Sequence, residues 1–170
     1  MTNNRNAKEL FSEGMSEFVN NHLDESVRLL TTAIERDPEF KLALIGRGSA
    51  YLKLERLKEA HADFSRAVEI DDQYARAFHL RGLVREKLGQ DAAAIEDFDR
   101  AVALDPDYGA AYYSRGALHA KMSNEDAAIA DMQMATHLGS VNLEKYMNTA
   151  NVWQNQHMRV EEAIETELAR

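Results

Sequence analysis

The dipeptide Arg-Gly recurs at Arg47-Gly48, Arg81-Gly82 and Arg115-Gly116, and its glycines stand 34 residues apart. Gly14 extends the series backwards at the same interval. Sliding the chain against itself by 34 residues aligns further columns. Leu10, Leu44, Phe78 and Tyr112 are large and apolar, whereas Ser26, Ala60, Ala94 and Ala128 are small. Leu30, Phe64, Phe98 and Met132 are large again, followed by Ala33, Ala67, Ala101 and Ala135. Pro38, Asp72, Pro106 and Ser140 close each unit. Self-similarity with a period of about 20–50 residues marks an array whose units bury their apolar faces against one another.

Each unit reads as two amphipathic helices. In the third, "ARAFHLRGLVREKL" is helix A, Gly89 serves the turn, and "DAAAIEDFDRAVAL" is helix B. Asp91 is expected to cap the start of helix B. "LDPDY" ends it, because proline disfavours helix at the residue before it. Abundant alanine, leucine and glutamate support helix throughout, and the two prolines, Pro38 and Pro106, both lie near expected helix ends.

Glycine inside a helix costs about 1 kcal/mol, so its periodic placement predicts a close approach between helices that a side chain would overpack. The neighbouring arginines have their own partner column. Asp63, Asp97 and Asp131 each follow Arg47, Arg81 and Arg115 by sixteen residues. In the first unit Glu13 replaces the arginine and Leu29 the aspartate, so both partners change together. This internal co-variation predicts a structural Arg–Asp contact between helices A and B.

With these columns in place, the chain resembles the tetratricopeptide-repeat family, whose pattern also has 34 residues. The large-residue, glycine, alanine, aromatic and proline columns match that pattern over residues 7–142. Two columns depart from it: Glu17, Tyr51, Arg85 and His119 occupy the usual tyrosine position, and Glu13, Arg47, Arg81 and Arg115 the leucine before the glycine. The resemblance implies an all-α, right-handed α-solenoid of helix-turn-helix repeats forming one domain over residues 1–170. The expected units are 7–40, 41–74, 75–108 and 109–142. Residues 143–170 repeat the pattern out of phase and are expected to form a degenerate fifth repeat, a C-terminal capping helix pair that covers the last apolar face.

Several function classes find no support in the residues. The formal charge is −9, and residues 7–40 hold three basic and eight acidic side chains, against six of each in 41–74. Such acidity argues against nucleic acid as a partner. The absence of cysteine excludes disulfides, cysteine metal sites and a thiol nucleophile. His22, His61, His79, His119, His137 and His157 lack the spacing of a helical metal motif, so no metal site is expected. There is no phosphate loop and no Gly-x-Ser-x-Gly elbow. No catalytic residue or cofactor is assigned, and an enzyme is not expected. "MTNNRNAKEL" has no apolar core, and no stretch approaches the roughly 18 apolar residues of a membrane span. A cytoplasmic protein without membrane insertion is the expectation.

What remains is a surface. The resemblance implies a concave groove lined mainly by helices A, where such proteins bind protein segments. Transferred to this chain, its face comprises Phe11, Met15, Ile45, Ser49, His79, Leu83, Tyr113, Ala117, Met147 and Asn151. These residues either anchor a peptide or partner helix or belong to the core between repeats. Lys53, Lys87 and Lys121 either complement helix C-termini or form a basic groove rim. The lysine and asparagine clamp that some co-chaperone relatives use is not reproduced, because Phe11 and Met15 occupy its expected positions. The first functional expectation is therefore a non-enzymatic adaptor or scaffold. The alternative is a self-associating structural protein, a homo-oligomer formed through Phe11, Met15 and Phe18. A third is the regulatory repeat region of a larger enzyme system.

Overall fold

The computed structural model describes residues 5–141. Seven complete helices follow one another: α1 (Ala7–Val19), α2 (Leu23–Arg36), α3 (Lys41–Lys53), α4 (Leu57–Ile70), α5 (Ala75–Lys87), α6 (Asp91–Leu104) and α7 (Gly109–Lys121). An eighth, α8, begins at residue 125 and continues to residue 141. No strand occurs among the described residues. The expected capping pair at 143–170 lies outside them.

Sequential helices pack as antiparallel neighbours, and the odd-numbered helices also touch in succession, α1 with α3, α3 with α5 and α5 with α7. Among the seven helices, the even-numbered ones make no such contact with each other. One surface is thus continuous and the other is fanned open, which is the geometry of an all-α solenoid.

The glycine column sets the spacing within each pair. A Cβ on Gly48 would lie 2.7 Å from the Phe64 ring, and one on Gly82 would lie 2.6 Å from the Phe98 ring. Gly14 and Gly116 meet Leu30 and Asp131 almost as closely, at 2.8 and 2.9 Å. Phe64, Phe98 and Leu30 are fully buried in consequence. Each such side chain contributes roughly 1.5–3 kcal/mol through burial, more than helical glycine costs. Ser26 occupies the alanine column with its hydroxyl buried and without a partner among the described residues.

The Arg–Asp columns form bidentate ion pairs across every A–B helix interface that contains them. Arg47 Nε and Nη2 donate to Asp63 at 2.8 and 2.6 Å. The Arg81–Asp97 distances are 3.0 and 2.7 Å, and those of Arg115–Asp131 are 2.8 and 2.7 Å. The aspartates are buried. Arg47 additionally donates to Thr31 Oγ1 on α2 at 3.1 Å, and Arg115 to Asp99 on α6 at 2.6 Å. These arginines therefore also join one helix pair to the preceding one.

Helix ends show two departures from expectation. Asp91 does not cap α6: the N-cap is Gln90, without a side-chain cap, while Asp91 lies in the first helical turn and accepts from Lys121 Nζ at 2.9 Å. Among α1 to α7, α1 alone carries a capping box, in which Asn6 and Glu9 exchange side-chain and backbone hydrogen bonds at 2.9 Å. The A-to-B turns use a left-handed residue at every repeat, Asn21, Glu55, Gly89 and Ser123, with φ between 57° and 75°. Between repeats, Asp37, Asp71 and Asp105 each accept the backbone N–H two residues on, at 3.2, 3.0 and 3.1 Å. These turns aim the next A helix at the same continuous surface.

Candidate functional site

Helical spacing of four residues brings Phe11 and Met15 to one face of α1, and Ile45 and Ser49 to one face of α3. Because α1, α3 and α5 adjoin, those faces meet. Together with Phe18, Leu42, Gly46, Tyr74 and Arg76 they line a cavity of about 170 Å³. Phe11 stacks at a tilt against Phe40, 5.1 Å between ring centres, and Met15 packs on Gly46, where a Cβ would sit 2.8 Å from its sulfur. Ser49 donates to the Ile45 carbonyl at 2.7 Å, so its hydroxyl is spent within the helix. The site is an apolar depression. Phe11 and Met15 form half-buried walls, Ile45 a buried floor, and Leu42 an exposed lip.

The remaining positions of the proposed face separate. His79 is buried, 6% exposed, and so is not available as a groove contact. Its Nδ1 lies 2.9 Å from Tyr108 Oη and its Nε2 3.0 Å from Ser114 Oγ, tying α5 to α7 and the loop before it. Burial, with the nearby Arg76 charge as a lesser cause, pushes this imidazole down to about 4. Leu83 packs partly into the Phe98–Leu118 core, and Ala117 is half-buried. Tyr113 stands out at 61% exposure. Met147 and Asn151 lie outside the described residues.

The three lysines of the expected rim are exposed but do different things. Lys53 Nζ sits 4.7 Å from the centre of the Phe18 ring, and Lys121 bonds Asp91. Lys87 has neither kind of contact among the described residues. Sequence reasoning missed Leu42, Tyr74 and Arg76. Tyr74 belongs to a readable aromatic column with Phe40 and Tyr108, but Leu42 and Arg76 share one with Lys8 and Ala110, which has no common chemistry. Among the described residues no cluster of histidine and carboxylates is arranged to hold a metal ion, and no helix is long and apolar enough to cross a membrane.

A tetratricopeptide-repeat family model matches residues 11–75, and a second such model matches residues 87–123. The chain belongs to the tetratricopeptide-repeat family. Among solved structures, a crystal structure of MamA is similar at TM-score 0.76 and 21% identity, covering 84% of this chain and 83% of that one. The first tetratricopeptide domain of Spaghetti (RPAP3), bound to the HSP90 peptide SRMEEVD, matches at TM-score 0.67 and 26% identity, over 69% of this chain and 93% of that one. The Arabidopsis OM64 tetratricopeptide domain matches at TM-score 0.66 and 24% identity, over 68% of this chain and 95% of that one. No curated protein matches the chain in sequence.

Proposed function

We propose that this protein is a non-enzymatic interaction scaffold that binds a peptide segment or partner helix along the face formed by α1, α3, α5 and α7. The observation that carries this reading is the open apolar cavity where three of these helices meet, lined by Phe11, Met15 and Ile45. The exposed Tyr113 lies further along the same helical series. The peptide-bound RPAP3 domain, similar in fold, supports the reading. Large side chains at such positions supply most of the affinity when truncation to alanine costs over about 2 kcal/mol of binding.

Affinity capture from the source cell followed by direct titration of the captured partner tests this. Tyr113→Ala is expected to melt with the wild type, since that side chain is exposed, yet to lose most of the partner. Met15→Ala is expected to lose the partner with a modest fall in melting temperature, since Met15 also packs on Gly46. Full capture by both variants moves the binding surface off this groove.

Self-association is the second reading, favoured by Val19, which is 79% exposed one residue from Phe18. Light scattering over a range of concentrations separates the two. A mass that rises with concentration and reverts in Phe18→Ala supports the homo-oligomer.

A further inference from the structure

Arg76 lies in the first turn of α5, on the wall of the groove, and differs from the chain's other arginines. Every other arginine among the described residues donates a hydrogen bond to a carboxylate, hydroxyl or carbonyl oxygen. Arg76 donates none there, and its side chain is exposed. It also stands between two cavities. With Tyr74 it lines the apolar depression of about 170 Å³, and the same two residues line a cavity of about 470 Å³ bordered also by Gln73, Asp105 and Tyr108.

The smaller cavity lies below the roughly 300–1,000 Å³ of small-molecule pockets, and its size suits a single bulky side chain. An occupant there displaces water from the neighbourhood of Arg76. A guanidinium losing water beside an apolar wall is matched by a carboxylate, which accepts two parallel N–H bonds. The acid must be sparing. The chain carries a formal charge of −9, which repels a uniformly acidic segment. Asp105 borders the far cavity, with one carboxylate oxygen held by the Asp107 N–H at 3.1 Å, and opposes a second negative group.

We infer that the groove selects segments in which a bulky apolar side chain adjoins one internal aspartate or glutamate. The apolar group fills the Phe11–Met15–Ile45 cavity and the carboxylate pairs with Arg76. This inference rests on the groove reading proposed above.

The test uses pools of fluorescein-labelled dodecapeptides with blocked termini, randomised except for a central Phe-Glu, Phe-Gln, Ala-Glu or Ala-Gln. Anisotropy titrations compare the full-length wild type with Arg76→Gln, Met15→Ala and Leu42→Ser, each checked by thermal melting. The wild type is expected to bind the Phe-Glu pool about tenfold tighter than the Phe-Gln pool. Arg76→Gln, which breaks no internal bond, is expected to melt like the wild type, bind these two pools alike and still prefer Phe over Ala. Equal binding of Phe-Glu and Phe-Gln by the wild type overturns the inference. The groove reading survives that result if the preference for Phe persists and falls in Met15→Ala and Leu42→Ser. Absence of any Phe preference, or of binding by every pool, overturns both. If only control peptides with a free C-terminal carboxylate bind, the groove recognises chain ends and the internal-acid inference is wrong.

Discussion

Asp97 holds two guanidinium groups at once: Arg81 through a bidentate pair, and Arg85 Nη1 at 3.0 Å. Its own side chain is only 3% exposed. Removing it leaves two arginines without their shared anion, whereas removing Arg81 leaves Asp97 still paired with Arg85. We therefore expect unequal costs. Asp97→Ala should lose about 3–5 kcal/mol, and Arg81→Ala distinctly less. Denaturant unfolding of both single variants and the double variant measures this, and absence of coupling between the sites would contradict the pairing. His79 supplies a second prediction. The folded state binds its proton more weakly, with the imidazole at about 4, than an unfolded chain at the usual 6.5. Acid therefore favours unfolding, and stability present above about pH 6.5 is lost as the pH falls toward 4. The loss is at most about 3 kcal/mol. Burial lowers His61 in the same direction, so it adds to the trend. Melting curves between pH 4 and 7 check it: His79→Gln should show a shallower acid slope, and an unchanged slope would assign the effect elsewhere.

At the scale of the element, the A-to-B turns present one backbone conformation filled by four different residues. Gly89 adopts φ 75° freely, and asparagine tolerates this region, but Glu55 at φ 57° and Ser123 at φ 60° are held there against their preference. Glu55→Gly should raise stability by about 0.5–1 kcal/mol, visible as a higher melting temperature. Gly82→Ala should do the reverse. The Phe98 ring it would meet at 2.6 Å is fully buried, so overpacking of about 1–3 kcal/mol exceeds the gain in helix propensity. The periodic sequence made the second position readable, because a glycine and a large residue sixteen positions on recur together. The turn column was not readable beyond Gly89, because the backbone imposes φ > 0 without demanding one residue type. The Asp37, Asp71 and Asp105 column is periodic and therefore readable in the sequence. The groove was legible only in part. Four-residue spacing groups Phe11 with Met15 and Ile45 with Ser49, which line one cavity, but it cannot tell which side chains the adjoining repeat will cover. Tyr108 and Ser114 cover His79 in this way, and Arg76 stands in a column without common chemistry.

For the molecule as a whole, the stack must end somewhere, and α8 is where the described residues end. Ile129 and Met134 are 56% and 41% exposed there, beside a cavity of about 590 Å³ bordered by Ala128, Ile129 and Met132. A terminal unit needs a polar outer face to stay soluble. Deleting residues 143–170 is therefore expected to cause aggregation or a clear fall in melting temperature, measured by sedimentation and calorimetry. A truncated chain as soluble and stable as the whole would show that α8 is sufficient as an end. The contact between successive odd-numbered helices, with none between the even-numbered α2, α4 and α6, has a mechanical consequence. The line of odd-numbered helices acts as the spine of a leaf spring. The even-numbered helices oppose bending through their packing on the next odd-numbered helix and through bonds such as Arg47 to Thr31 and Arg115 to Asp99. Small rotations at successive joints add along the spine, so an occupant that wedges α1 from α3 changes the curvature felt at α7. An occupant of the proposed groove at one end would thereby alter its span at the other.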